Sequence, residues 1–474
     1  MFCPNCGKKC GDNDLFCGGC GTRLPARPVT ASPAADAAPV APAVRAAGDT
    51  PAASASHGAG IPSGCGAASA ASARAAARAG SGAAAGSKEP AGPMAEGVIF
   101  TNLQALARKF GTDAAAVRKL LAAYAEASAA HGIRYRIVDA GDYVFLNPEA
   151  GRNRAVALSP ADSWVEHGYL LADYYRFGRS TADDETNYLF IVGGADVIPM
   201  PVLPQYISDP DYSDTDIDSD IPYAYLLGER TYPMLGTAEI FQYEQYFHTG
   251  RLPLAHDASL DDLAGYLRRA AKAPGSMAVG RAYGQTDLTW LSASASVSEP
   301  FRRNRLFRGD MRLDERIYTQ NLFVSPCVER SIVDKVFDRG ADFYYFNLHG
   351  SDAPTACSFY ASYQQQCYEA VTPRQLASAE KPNVVVTEAC YGGKFQDYGR
   401  GETMLLAAMG DMTLLYLGSS RIAWGASKSS SAADLDNADR LTNVYMAKLL
   451  EGYTAGEAFY MARQSFFDYN DGYF

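Results

Sequence analysis

VVVTEACYGG, Val384–Gly393, decides how this chain reads, together with YYFNLHGS at Tyr344–Ser351. Each is a short apolar run rich in β-branched or aromatic residues, the composition of a buried strand. Each run stops at a reactive side chain with glycine close behind: His349 before Gly350, and Cys390 before Gly392 and Gly393. If the two strands are neighbours in one parallel sheet, imidazole and thiol emerge together at its carboxyl edge, where open α/β folds place their chemistry. A thiol and an imidazole distant in sequence but adjacent in space suit a cysteine nucleophile with its base. The backbone N–H groups of Gly350 and Cys390 are then the expected donors to an oxyanion. Taken singly, His349 reads as a strand-end histidine satisfied by backbone and Cys390 as a small buried apolar residue. Their joint order favours the reactive pair.

Working outward, strands are expected at 133–140, 187–201, 342–348, 383–388 and 413–418. Helices are expected at 101–110, 114–132, 162–177, 259–272, 327–339 and 402–409, with one or two more across 438–464. Ser259 opens the 259–272 helix as its cap, with Asp261 and Asp262 in the first turn. Strands alternating with helices predict an α/β fold, a mostly parallel sheet flanked by helices. Composition divides the rest. Residues 25–95 are dominated by Ala, Pro, Gly and Ser and hold too few large apolar side chains to offset ordering entropy, so a disordered linker is expected there. A helical or mixed subdomain over 96–186 and a catalytic domain over 187–474 follow.

Residues 1–24 are cysteine-dense. Cys3-Pro-Asn-Cys6 and Cys17-Gly-Gly-Cys20 are two CxxC knuckles whose four thiolates suit a tetrahedral structural Zn²⁺ site. A unit so small has no core, so the metal would supply its folding energy and leave it to act as an adaptor for a protein partner. Further on, Asp209–Asp220 holds six aspartates in twelve residues. Alternating carboxylates admit Ca²⁺, although the glycine and final glutamate of an EF-hand loop are missing, and a solvated acidic loop is the better reading.

The net charge of −11 argues against bulk attraction to nucleic acid or anionic lipid. The N-terminus lacks the basic region and apolar run of a secretory signal, and the most apolar stretch, Met404–Gly418, is broken by Asp411, so a cytoplasmic location without a membrane span is expected.

The segment EACYGG (Glu388–Gly393) resembles the nucleophile motif of the caspase-like clan of cysteine peptidases, with Glu388 in place of the usual Gln and Tyr391 in place of the usual Arg, Gln or Gly. Those departures point away from true caspases and towards the gingipain type. LFIVGGADVIP (Leu189–Pro199), SDIPYA (Ser219–Ala224) and GRLPL (Gly250–Leu254) resemble that family's early segments; LLYLGSSRIAWGAS (Leu414–Ser427) and GYTAGEAFYMAR (Gly452–Arg463) resemble those after its cysteine. The resemblance implies endopeptidase action on protein or peptide substrates by a Cys390–His349 dyad. It also implies a side-chain pocket beside the dyad, for which Asp352, Asp397 and Trp424 are the candidate walls. The rival expectation is a catalytically silent caspase-like scaffold with a zinc-ribbon binding module.

Overall fold

The computed structural model describes residues 95–147, 152–178, 187–204, 216–226, 245–273, 279–303, 318–319, 322–352, 357–364, 366–410 and 412–469. Cys3, Cys6, Cys17 and Cys20, the linker up to residue 94 and residues 209–215 of the acidic run lie outside them.

Two sheets organise the chain. The first contains β1 (Ala95–Thr101), β2 (Ile133–Asp139), β3 (Asn187–Val192) and β4 (Phe247–Leu252). Their spatial order is β2-β1-β3-β4 and every pair is parallel. This sheet runs across residue 187, so the expected division at that point does not coincide with a structural boundary. Strand β1 was also not expected. Its run, AEGVIFT, is short and begins where the linker composition fades, yet six of its seven residues are buried. Asn102 separates it from helix α1 (Leu103–Phe110) by accepting the Ala105 N–H on its side chain, an N-cap.

Arg251 ties this sheet's carboxyl edge together. Its guanidinium donates to both carboxylate oxygens of Asp220 at 2.7 Å each, and to the carbonyls of Gly193 and Ile198 at 2.9 Å each. A planar fork with five donors suits such a junction, and lysine could not reproduce it. Three segments that resembled the gingipain type, at 189–199, 219–224 and 250–254, therefore meet at one buried ion pair.

The second sheet contains β5 (Ala282–Asp287), β6 (Tyr318–Thr319), β7 (Leu322–Ser325), β8 (Phe343–Asn347), β11 (Asn383–Thr387) and β12 (Thr413–Leu417), in the order β6-β7-β5-β8-β11-β12. A hairpin of β9 (Phe359–Tyr363) and β10 (Gln366–Val371) lies beside it. Among the described residues of the six-stranded sheet, only the β6–β7 pair is antiparallel.

Strands β8 and β11 are buried throughout, because helices cover both faces. Tyr344, Phe346 and Val385 pack with Val333 and Phe337 of helix α2 (Arg330–Arg339) and with Met404 and Ala408 of α3 (Met404–Gly410). On the other face Phe343, Tyr345, Val384 and Val386 pack with Tyr445 and Met446 of α4 (Asn437–Leu450) and Ala458 and Ala462 of α5 (Ala455–Tyr469). Phe395, Leu405, Leu406 and Met409 join the first sheet's core, which fastens the two layers together. The expected α/β architecture is the one observed, with two mainly parallel sheets. Among the described residues no helix is long and apolar enough to cross a membrane.

Removing one partner of a buried ion pair strands the other. Arg251→Met is expected to lower unfolding free energy by about 3 kcal/mol, seen as a lower denaturation midpoint. A midpoint equal to wild type would show that the junction is dispensable.

Candidate active site

The site grows out of strand register. In the β8–β11 ladder Phe346 is opposite Thr387, and the Glu388 N–H continues it by donating to the Phe346 carbonyl at 2.9 Å. His349 follows Phe346 by as many residues as Cys390 follows Thr387, so the two reactive residues leave the same sheet edge side by side. The backbones touch there: a Cβ on Gly350 would lie 1.8 Å from the Cys390 carbonyl oxygen. Position 350 therefore admits only glycine without displacement of the cysteine segment.

His349 is held from three directions. Its backbone exchanges two 2.8 Å hydrogen bonds with Tyr360 of β9. The Trp290 ring lies 4.4 Å from its ring, centre to centre. Its Nε2 lies 3.2 Å from Ser362 Oγ and 3.8 Å from Asp287 Oδ2. Asp287 itself is fully buried at the end of β5; its Oδ2 accepts the Ser362 N–H at 2.5 Å and its Oδ1 the Thr289 N–H at 2.7 Å. Desolvation pulls the His349 pKa below the ordinary imidazole value, and the Asp287 carboxylate opposes that pull. Nε2 of the ring is turned to Ser362 and Asp287.

Cys390 stands on a strained turn. The next residue, Tyr391, has φ of 56°, a left-handed conformation that non-glycine residues seldom adopt outside constrained sites. Its N–H donates to the Arg421 carbonyl at 2.8 Å, and the Gly393 N–H donates to the Ser419 carbonyl at 2.8 Å. The thiol Sγ lies against the same loop, 3.4 Å from the Ala423 nitrogen and 3.6 Å from its carbonyl oxygen.

A depression opens beside the thiol, with Gly350, Cys357, Cys390, Tyr391, Lys394 and Tyr398 among its walls. Of the candidate pocket residues, Asp352 gives its carbonyl to the Tyr398 hydroxyl at 3.0 Å, at the rim. Asp397 is exposed on a left-handed turn and lines nothing here. Trp424 stands one residue past Ala423, 36% exposed. In the acidic run, Asp218 pairs with Arg421 at 2.9 Å and Asp220 with Arg251 at 2.7 Å, so both carboxylates serve arginines. Among the described residues no group of three His, Cys, Asp or Glu side chains is arranged to hold a metal ion.

A family model for peptidase family C25 matches residues 121–473, well over half of the chain. The chain belongs to peptidase family C25. No curated protein matches it. Two solved structures are similar. One is the complex of Porphyromonas gingivalis RgpB pro- and mature domains, at 13% identity over 80% of this chain and 75% of that one, with a TM-score of 0.49. The other is the Arg-specific cysteine proteinase gingipain R (RgpB), at 14% identity over 81% and 76% of the respective chains, with a TM-score of 0.51. The likeness to gingipain R is one of fold, the caspase-like arrangement of mainly parallel strands flanked by helices.

Within this C25 chain, sequence reasoning missed Asp287. Its strand, AYGQTD, looks too polar for a buried element, but Gln285 and Thr286 are satisfied internally: the Tyr283 hydroxyl donates to Gln285 Oε1 at 2.8 Å, and Gln285 Nε2 donates to Ser325 Oγ at 2.7 Å. The usable signal was the Asp that ends the strand and caps the turn behind it.

Glu388, two residues before the thiol, is also buried, and its Oε1 accepts the Tyr345 hydroxyl at 3.2 Å. Behind it lies Asp439 of α4, 1% exposed, whose Oδ2 accepts the Ala426 N–H. Burial pushes Asp439 up to about 6. Burial first, and then the Asp439 carboxyl, push Glu388 well above the carboxylate range. Both groups keep protons in the folded chain that they would release on unfolding. Their stabilising share is complete below about pH 4; that of Asp439 is lost as pH rises through about 6, and that of Glu388 at higher pH. Glu388→Gln should therefore be more stable than wild type at pH 8 by on the order of 1 kcal/mol, with the gap closing by about pH 4. Parallel stability–pH curves for the two proteins would contradict this.

Proposed function

We propose that this C25 chain is a cysteine endopeptidase working through Cys390 and His349. The register that brings both residues to one sheet edge, with Gly350 pressed on the Cys390 carbonyl, carries the reading. In the reaction, His349 takes the thiol proton as Cys390 Sγ attacks the scissile carbonyl carbon. The C=O π pair moves onto oxygen, where the amides of Gly350 and Cys390 are the intended donors. As the C–N bond breaks, His349 passes that proton to the departing amine and leaves a thioester. Water then adds to the thioester with His349 as base, and the thiol takes the proton back as the acid product leaves.

Asp287 positions the base. It fixes Ser362 and supports Nε2, which leaves Nδ1 as the ring nitrogen for the thiol side. The four N-terminal cysteines belong to the proposal as a separate zinc-holding adaptor for a protein partner. The chain's own specificity is not inherited from gingipain R, whose likeness is in fold.

Cys390→Ala is expected to abolish peptide cleavage and labelling by an acyl-type thiol probe while the melting curve stays at wild type. A variant that still cleaves would remove Cys390 as nucleophile. A wild type that neither cleaves nor labels would favour a silent scaffold. For Asp287→Asn we expect kcat to fall roughly tenfold or more with a much smaller change in KM. Because Asp287 raises the His349 pKa, its loss should also move the acid limb of the rate profile to lower pH. An unmoved limb would leave Asp287 with a purely structural role.

A further inference from the structure

The depression beside Cys390 carries one charged side chain in its walls, Lys394. Its Nζ lies 5.5 Å from the centre of the Tyr391 ring and 5.8 Å from that of Tyr398, so the ammonium sits between two aromatic faces. Three other lysines pair with acids: Lys109 with Asp196 at 2.6 Å, Lys381 with Asp342 at 2.8 Å and Lys448 with Glu451 at 2.7 Å. Among the described residues no carboxylate lies within ion-pair distance of Lys394. Of the nearby acids, Asp352 acts on Cys357 and Tyr398 from the rim, Asp218 feels the Lys394 charge, and two make closer contacts of their own. Glu402 accepts the Gly399 N–H at 2.5 Å, and Asp218 pairs with Arg421 at 2.9 Å. The field of Lys394 reaches across the depression, since it pulls the Cys357 pKa down against the rise caused by burial.

A cation ordered by its neighbours and without an ion-pair partner among the described residues is prepared for one from outside. Ring contacts hold the ammonium without neutralising it, and a carboxylate placed there would make a charge-assisted hydrogen bond in a partly desolvated site. At the same walls Thr403 Oγ1 accepts the Leu406 N–H at 3.1 Å and keeps its own hydrogen for such a group, whereas the Ser358 hydroxyl already donates to Glu369 at 2.8 Å. The chain's net charge of −11 works against long-range attraction of acidic substrates, so selection has to be local.

We infer that Lys394 is a specificity residue that binds the carboxylate of an Asp or Glu flanking the scissile bond. The inference rests on the peptidase reading above. It is tested with fluorogenic peptides identical except for Glu, Gln, Lys or Leu at the residue on either side of the cleaved bond. These are assayed with the full-length wild type, Lys394→Met, Lys394→Glu and Cys390→Ala.

The expected result is a Glu-over-Gln preference in kcat/KM of roughly tenfold or more at one of the two positions. That ratio should collapse to about one in Lys394→Met, and Lys394→Glu should turn the preference towards Lys. A merely structural lysine would lower all rates together and leave the ratios intact. Gln equal to or better than Glu at both positions in wild type, or unchanged ratios in Lys394→Met, overturns the inference while leaving the peptidase reading standing. If the wild type cleaves no peptide, or cleaves in a way that survives Cys390→Ala, the peptidase reading falls and takes the inference with it.

Discussion

One backbone contact governs the site: Gly350 lies so close to the Cys390 carbonyl that a Cβ would come within 1.8 Å of the oxygen. Two adjacent parallel strands always end near one another, but they do not by themselves align particular residues. Here the pairing of Phe346 with Thr387 fixes the alignment, and the missing side chain at position 350 lets the two ends close up. Because side chains alternate along a strand, a one-residue slip of β11 would turn Cys390 to the opposite face and dismantle the pair. The apolar packing on both faces of β8 and β11 prevents that slip, since each residue of both strands has a buried place.

The first sheet serves this arrangement at a distance. Its carboxyl edge is closed by Arg251, whose partners come from two other segments, 189–199 and 219–224. From the same region Asp218 reaches Arg421, and the Asp218 carbonyl accepts the Ser420 hydroxyl at 2.8 Å. Ser419 and Arg421 in turn receive the amides of Gly393 and Tyr391. The acidic run is thus part of a relay of contacts that ends on the turn carrying the nucleophile. Segments that look like family signatures need not touch substrate; these hold the frame on which the thiol stands.

How much of this was legible in the sequence follows from what each signal depends on. Strands β8 and β11 are continuous apolar runs that stop at a functional residue and a glycine, and such a pattern survives without tertiary context. Asp287 was not legible because its strand is buried yet polar, and what makes it tolerable there is a set of hydrogen bonds to Tyr283 within the strand and to Ser325 of β7. The depression walls were hidden for a related reason. Lys394 lies in the same loop as Asp397, and nothing in the local sequence separates the side chain that enters the depression from the one that faces solvent. The left-handed turns at Tyr391 and Asp397 settle that, and a tyrosine does not advertise such a conformation.

Membership of family C25 at only 14% identity to gingipain R is consistent with a division of labour between the strands and the loops that follow them. The juxtaposition of Cys390 and His349 depends on backbone register and one glycine, features that few residue identities specify. Substrate selection depends on loop side chains, which the sheet does not constrain. A chain can therefore keep the fold while its pocket chemistry changes sign. Lys394 between two tyrosines is such a loop solution. Glu388 and Asp439, behind the thiol, are by contrast held towards their protonated states by burial, so the charge that faces the depression is that of Lys394.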